Sequence, residues 1–156
     1  MTLDRRNLLK LATVASVGTV ASSSTALAHL QPPYPRKKVA RERDLKPGVP
    51  VTFAYPDDAA PAFLVKTGRA AIGGIGKDKD VVAYSALCTH MGCVVQYKVD
   101  RFICPCHYSQ FDPAVNGQCV QGLASQYLPQ IVLVVDAGGD IYADGIEGIV
   151  WGRTES

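Results

Sequence analysis

Cys88-Thr89-His90-Met91-Gly92-Cys93 and Cys104-Pro105-Cys106-His107 are the two stretches of this chain best equipped for chemistry. Each offers one thiolate and one imidazole at close spacing, Cys-x-His in the first and Cys-x-x-His in the second. Cys88, His90, Cys104 and His107 together form a two-Cys, two-His donor set. Such a set suits a 2Fe–2S centre in which two His replace two Cys on one iron. Each box also carries a spare cysteine, Cys93 and Cys106, free to bond to each other. Zinc is the competing metal, since two Cys and two His can hold it tetrahedrally. Zinc fingers, however, pair their ligands as Cys-x-x-Cys and His-x-x-x-His and bring no extra cysteines, so the pattern favours iron.

Thiolates are charged donors that stabilise ferric iron, whereas imidazole is neutral and gives less charge. Two His on one iron make that iron the easier to reduce. They raise the potential from about −400 mV for an all-Cys plant-type cluster to about −150 to +300 mV. That range suits exchange with c-type cytochromes or copper proteins. It also requires the His ligands to lie near the surface.

The elements around these boxes read as short strands. The spacing predicts strands over Val49–Tyr55, Ala62–Lys66 and Val81–Ser85, with a glycine-rich loop from Gly68 to Lys79. A hairpin is expected from Val94–Lys98 and Arg101–Ile103 around Val99-Asp100. A second is expected from Ile131–Asp136 and Asp140–Ala143, where Ala137-Gly138-Gly139 is a strong turn signal. Fourteen Gly and ten Pro in 156 residues fit a loop-rich β fold. No amphipathic helix is evident after residue 30, so the expected class is all-β.

The net charge is +2, unevenly spread. Asp4-Arg5-Arg6-Asn7-Leu8-Leu9-Lys10 resembles a twin-arginine leader, and Ala26-Leu27-Ala28 an A-x-A-like cleavage site. Residues 1–28 are therefore expected to be a signal peptide that directs the chain to the periplasm by the twin-arginine route. A retained anchor is the competing reading, although Leu11 to Ala28 is rich in Ser, Thr and Gly and marginal for a span of about 20 residues. Residues 29–44 are Pro-rich and basic, with Arg36, Lys37, Lys38, Arg41 and Arg43, and read as an extended arm. From Lys46 onward 8 basic residues face 11 acidic ones. No basic face with interleaved aromatics appears, so a nucleic-acid partner is not expected. The periplasm permits disulfides, and closing Cys93–Cys106 would contribute about 3 kcal/mol by chain entropy. Cys119 is then the odd cysteine, read as a space-filling thiol.

The two boxes resemble those of Rieske proteins, and the likeness covers roughly residues 45–153. It implies an antiparallel β sandwich, the Rieske domain over 45–156, with an inserted cluster-binding subdomain at about 86–126. Cys88 and Cys104 would hold the buried iron, and His90 and His107 the exposed one. A third loop, placed at Gly122-Leu123-Ala124-Ser125, would cover the cluster. The family's second box commonly continues His-Gly-Ser-x-Tyr-Asp, and here it reads His107-Tyr108-Ser109-Gln110-Phe111-Asp112. Ser109 keeps the expected donor to a bridging sulfide. Phe111 lacks the hydroxyl that in high-potential relatives donates to a ligand thiolate. The resemblance thus implies a potential below that of quinol-oxidising relatives. Met91 is expected to shield the cluster and Trp151 to close the base domain.

Among Rieske classes, an oxygenase needs a further 2-His-1-carboxylate iron site. The chain has three His, and only His29 lies outside the two boxes, which excludes that class. Ala83 to Cys93, Tyr55-Pro56-Asp57, Leu64-Val65-Lys66, Leu128-Pro129-Gln130 and Val150-Trp151-Gly152-Arg153 closely resemble the small subunit of arsenite oxidase. That likeness implies a non-catalytic electron-transfer subunit. Its partners would be a large molybdopterin subunit and a soluble c-type cytochrome or azurin-like acceptor. A Rieske subunit of a quinol–cytochrome c oxidoreductase, or a free Rieske carrier, is the alternative.

Overall fold

The computed structural model describes residues 34–151, so the leader expected at 1–28 lies outside the described residues. Ten strands follow in order: β1 Lys37–Arg41, β2 Val51–Ala54, β3 Pro61–Lys66, β4 Val81–Ser85, β5 Gln96–Lys98, β6 Arg101–Ile103, β7 Gln110–Asp112, β8 Gln118–Gln121, β9 Gln130–Val135 and β10 Asp140–Glu147. One short 3-10 turn, Glu42–Asp44, is the helical element of the described residues. The fold is all-β and antiparallel, as expected. Six strands form one sheet in the order β1-β10-β9-β4-β3-β2, and four form a second in the order β5-β6-β7-β8.

β4 and β9 are neighbours in the large sheet, with Ala83 opposite Ile131 and Tyr84 opposite Gln130. Everything between them, including both ligand boxes and the whole small sheet, is inserted into that one connection. β4 is buried along its whole length. Its alternate residues serve two cores: Val82 and Tyr84 join Phe102, Phe111, Cys88 and Cys104, whereas Val81 and Ala83 join Leu64, Ile131, Leu133 and Ile141. A strand covered on both faces reads as a continuous apolar run rather than an alternation. The second core draws residues from every strand of the large sheet, which therefore curls around it.

Two elements differ from expectation. The basic arm expected over 29–44 is not free in its described part. Residues 37–41 are extended but form β1, an edge strand paired with β10. Arg41 and Lys38 both bond Asp140, with Arg41 at 2.7 Å, and the Arg36 guanidinium lies 4.5 Å from the Tyr142 ring centroid. Lysine and arginine suit an edge strand because they block further pairing. Trp151 does not close the base domain; its indole reaches the first ligand box.

Candidate metal centre

Each box is a turn closed in the same way. The amide of Gly92 donates to the Cys88 carbonyl at 2.8 Å, and the amide of Tyr108 donates to the Cys104 carbonyl at 2.9 Å. In both turns this fifth residue has positive φ, +76° at Gly92 and +58° at Tyr108. That conformation favours glycine. It explains why a glycine is usual there and marks Tyr108 as the departure. Further bonds close the bases of the loops, from the Cys88 amide to the Cys93 carbonyl at 2.9 Å and from the Cys104 amide to the Ser109 carbonyl at 2.8 Å.

The turns place unlike ligands at unlike depths. Cys88 and Cys104 are each 1% exposed, His90 is half-buried and His107 is exposed. The two imidazoles stand edge to face with centroids 4.7 Å apart. The two ligand thiols are free and buried within one core. Burial pushes the Cys88 thiol up, the neighbouring Cys104 adds to the rise, and backbone donors from His90 and Met91 oppose it. Cys93 and Cys106 are joined in a disulfide with Cα atoms 6.5 Å apart, which ties one ligand loop to the other. Their sulfurs lie within 4.8 Å of the Cys104 sulfur. This trio is not a three-thiolate site, because two of its sulfurs are bonded to each other. It shows that the bridge lies against a candidate ligand.

The site's own chemistry fits a 2Fe–2S group. His90 Nδ1 is buried and has no hydrogen-bond partner in the protein. An orphaned ring nitrogen beside another imidazole and above two buried thiols needs a partner, and a metal supplies one. Cys88, Cys104, His90 and His107 would hold the cluster. When bound, the group supplies reversible one-electron exchange.

The loop expected over Gly122–Ser125 does close on the second box. Ser109, fully buried, accepts from the amides of Leu123 at 3.1 Å and Ala124 at 3.0 Å. Two incoming N–H groups occupy the hydroxyl's lone pairs and leave its proton to be donated elsewhere. Gly122 is required for this approach: its φ is +103°, and a Cβ there would stand 2.4 Å from Ser109 Cα. Phe111 is fully buried in the core with Cys88 and Cys104. Met91 is 69% exposed rather than packed over the site. Cys119 is half-buried against the same core, and its thiol reaches the Gln121 carbonyl at 3.3 Å. Sequence reasoning missed the Trp151 contact, in which Nε1–H donates to the His90 carbonyl at 3.2 Å.

The Rieske [2Fe-2S] domain family matches residues 36–132, which include every one of these side chains except Trp151. The chain belongs to the Rieske family. Its cofactor is accordingly one 2Fe–2S cluster. Rieske relatives match over nearly the whole chain. The iodate reductase subunit IdrB of Denitromonas iodatirespirans is 40% identical, covering 99% of this chain and 86% of that protein. The subunit of the same description from Pseudomonas sp. strain SCT is 43% identical, covering 88% and 73%. Among solved structures, the soluble domain of Rieske protein II (soxF) from Sulfolobus acidocaldarius superposes with a TM-score of 0.66 at 25% identity, covering 78% of this chain and 82% of that one.

Proposed function

We propose that this chain is the electron-transfer subunit of a molybdopterin oxidoreductase that acts on an inorganic oxyanion, with arsenite oxidation as the first reading. The observation that carries it is a one-electron site whose histidine end lies at the surface of the described residues. Two buried cysteines lie beneath an exposed and a half-buried histidine, and the chain has a single further His from which to build a second metal site. His107 and the rim of His90 put that end of the site within reach of a partner, while Cys88 and Cys104 are shut off from solvent. The disulfide and the Ser109 bonds hold both ligand loops still, which keeps reorganisation on electron transfer small.

In this reading a large molybdopterin subunit performs the oxyanion chemistry. The chain takes electrons from it one at a time and gives them to a soluble c-type cytochrome or azurin-like copper protein. The twin-arginine-like leader supports a periplasmic setting for that traffic. Support for arsenite is the resemblance of stretches outside the boxes, such as Tyr55-Pro56-Asp57 and Leu128-Pro129-Gln130.

A second reading, iodate reduction, is favoured by the two iodate reductase relatives. It reverses the flow, so that the chain delivers electrons to its large subunit. One experiment separates the two. The native complex is followed by electron paramagnetic resonance while arsenite is added to the oxidised form, or iodate to the reduced form. Arsenite oxidation predicts a Rieske signal that grows in with arsenite. Iodate reduction predicts a signal that disappears with iodate. A complex that ignores both oxyanions, yet is reduced by a quinol, overturns the proposal in favour of the quinol–cytochrome class.

A further inference from the structure

Trp151 is the only tryptophan in the chain. It lies beyond β10, 61 residues from His90, yet its indole Nε1–H donates to the His90 carbonyl oxygen at 3.2 Å. With Thr89, Gln126 and Tyr127 it lines a groove of about 430 Å³ beside the first ligand loop. Within the same lining the Thr89 hydroxyl donates to the Gln126 carbonyl at 2.7 Å. The first ligand loop is therefore held at two points by groups outside both boxes.

The His90 carbonyl and the Met91 amide are the two ends of one peptide unit. That unit lies inside the first ligand loop, which the Gly92 amide closes by donating to the Cys88 carbonyl at 2.8 Å. A hydrogen bond accepted at a peptide oxygen polarises the unit and makes its N–H end more positive, an effect of about 10–30% per bond. A more positive peptide N–H within the loop that carries Cys88 and His90 favours the more negative, reduced state of an iron–sulfur centre held there. We infer that Trp151 is a positioning residue for the cluster, fixing the His90 carbonyl and polarising the His90–Met91 peptide of the first ligand loop so that the reduced state is favoured. This inference rests on the 2Fe–2S site and not on the identity of the substrate.

The test uses the full chain carrying its cluster, and its readout is the midpoint potential from a redox titration followed by electron paramagnetic resonance. Trp151→Phe keeps an aromatic ring and removes the N–H. It should make the reduction equilibrium constant about two- to fourfold smaller. The second variant is the unaltered sequence produced with a ring-fluorinated tryptophan, whose N–H is the stronger donor. Because the chain has one tryptophan, only this position changes, and the equilibrium constant should move the opposite way. Hydrogen exchange across residues 88–93 should also quicken in Trp151→Phe. If the midpoint stays put in both proteins, Trp151 merely packs and the inference is overturned. If Trp151→Phe fails to retain the cluster, the fluorinated chain decides alone: an upward shift supports the inference and no shift overturns it. An unmoved midpoint leaves the oxyanion assignment intact, and a failed oxyanion response leaves the midpoint comparison intact.

Discussion

Tyr108 sits where its equivalent in the first box is Gly92, and the backbone there is left-handed in both. For an L-residue with a Cβ that conformation costs roughly 1–2 kcal/mol, while glycine is freer in the unfolded chain and gives part of this back. Tyr108→Gly should therefore raise stability by about 0.5–1 kcal/mol. Chemical denaturation of the cluster-loaded chain checks it, and a loss of stability would mean that the exposed ring contributes more than the strain costs. Phe111 poses the opposite question. Its ring is fully buried among Cys88, Cys104 and Phe102, so a para hydroxyl would enter a dry core beside the ligand sulfurs. A hydrogen bond to a charged acceptor is worth about 1.5–3 kcal/mol, and only its difference between oxidation states shifts a potential. Since 59 mV is tenfold for one electron, Phe111→Tyr should raise the midpoint by roughly 30–60 mV. An unchanged midpoint would show that the hydroxyl finds no ligand sulfur in this core.

At the scale of elements, Asp112 on β7 fastens the small sheet to the large one. It accepts from Arg101 of β6 at 2.5 Å, from Arg69 in the loop after β3 at 3.0 Å and from the Ala114 amide at 2.9 Å. Asp112 is 6% exposed, whereas the two guanidiniums keep partial contact with water. Breaking a fully buried pair costs about 3–5 kcal/mol, and solvent around the arginines reduces that, so Asp112→Ala should cost about 2–3 kcal/mol. Asp112→Asn keeps an acceptor for Ala114 and should recover part of the loss. Thermal unfolding of the three proteins decides, and equal losses for Ala and Asn would assign the whole effect to charge. Elements of this kind differ in how openly they are written. β4 was legible because five apolar or small residues between turn signals form a strand buried on both faces. The ligand boxes were legible because their chemistry depends on local spacing. β1 was not, because its lysines and arginines suit a solvated arm as well as an edge strand, and its pairing with β10 joins the two ends of the domain. β7 is too short to show a period. Trp151 was misplaced because its partner lies 61 residues away, and nothing near either residue announces the contact.

For the molecule as a whole, each of the two cores contains a fully buried tyrosine. Tyr55 belongs to the core inside the curled sheet, and Tyr84 to the core shared with the ligand cysteines. Burial first, then Asp144 and Tyr34, pushes the Tyr55 phenol up to about 12. Burial, then Asp112, raises that of Tyr84 as well, against a backbone bond from Gly117 that lowers it. Both phenols are therefore neutral in the fold when an unfolded chain would already be losing its protons near pH 10. Stability is fully present below about pH 10 and is lost as pH rises toward the folded values. The loss approaches about 1.4 kcal/mol per pH unit for each tyrosine. The two rings separate cleanly under mutation, because the Tyr84 hydroxyl donates to the Pro113 carbonyl at 2.9 Å whereas the Tyr55 hydroxyl is buried without a partner. Tyr84→Phe should cost about 1 kcal/mol at neutral pH. Tyr55→Phe should cost nothing there, or stabilise by about 1 kcal/mol, since it removes an unsatisfied group. Urea unfolding at steps from pH 8 to 11.5 then reads the slope. Tyr55→Phe should make the alkaline loss clearly smaller than in the unaltered chain, because one of the three raised phenols, those of Tyr55, Tyr84 and Tyr97, is gone. Parallel slopes above pH 10 would mean that Tyr55 titrates normally and that the inner core admits water.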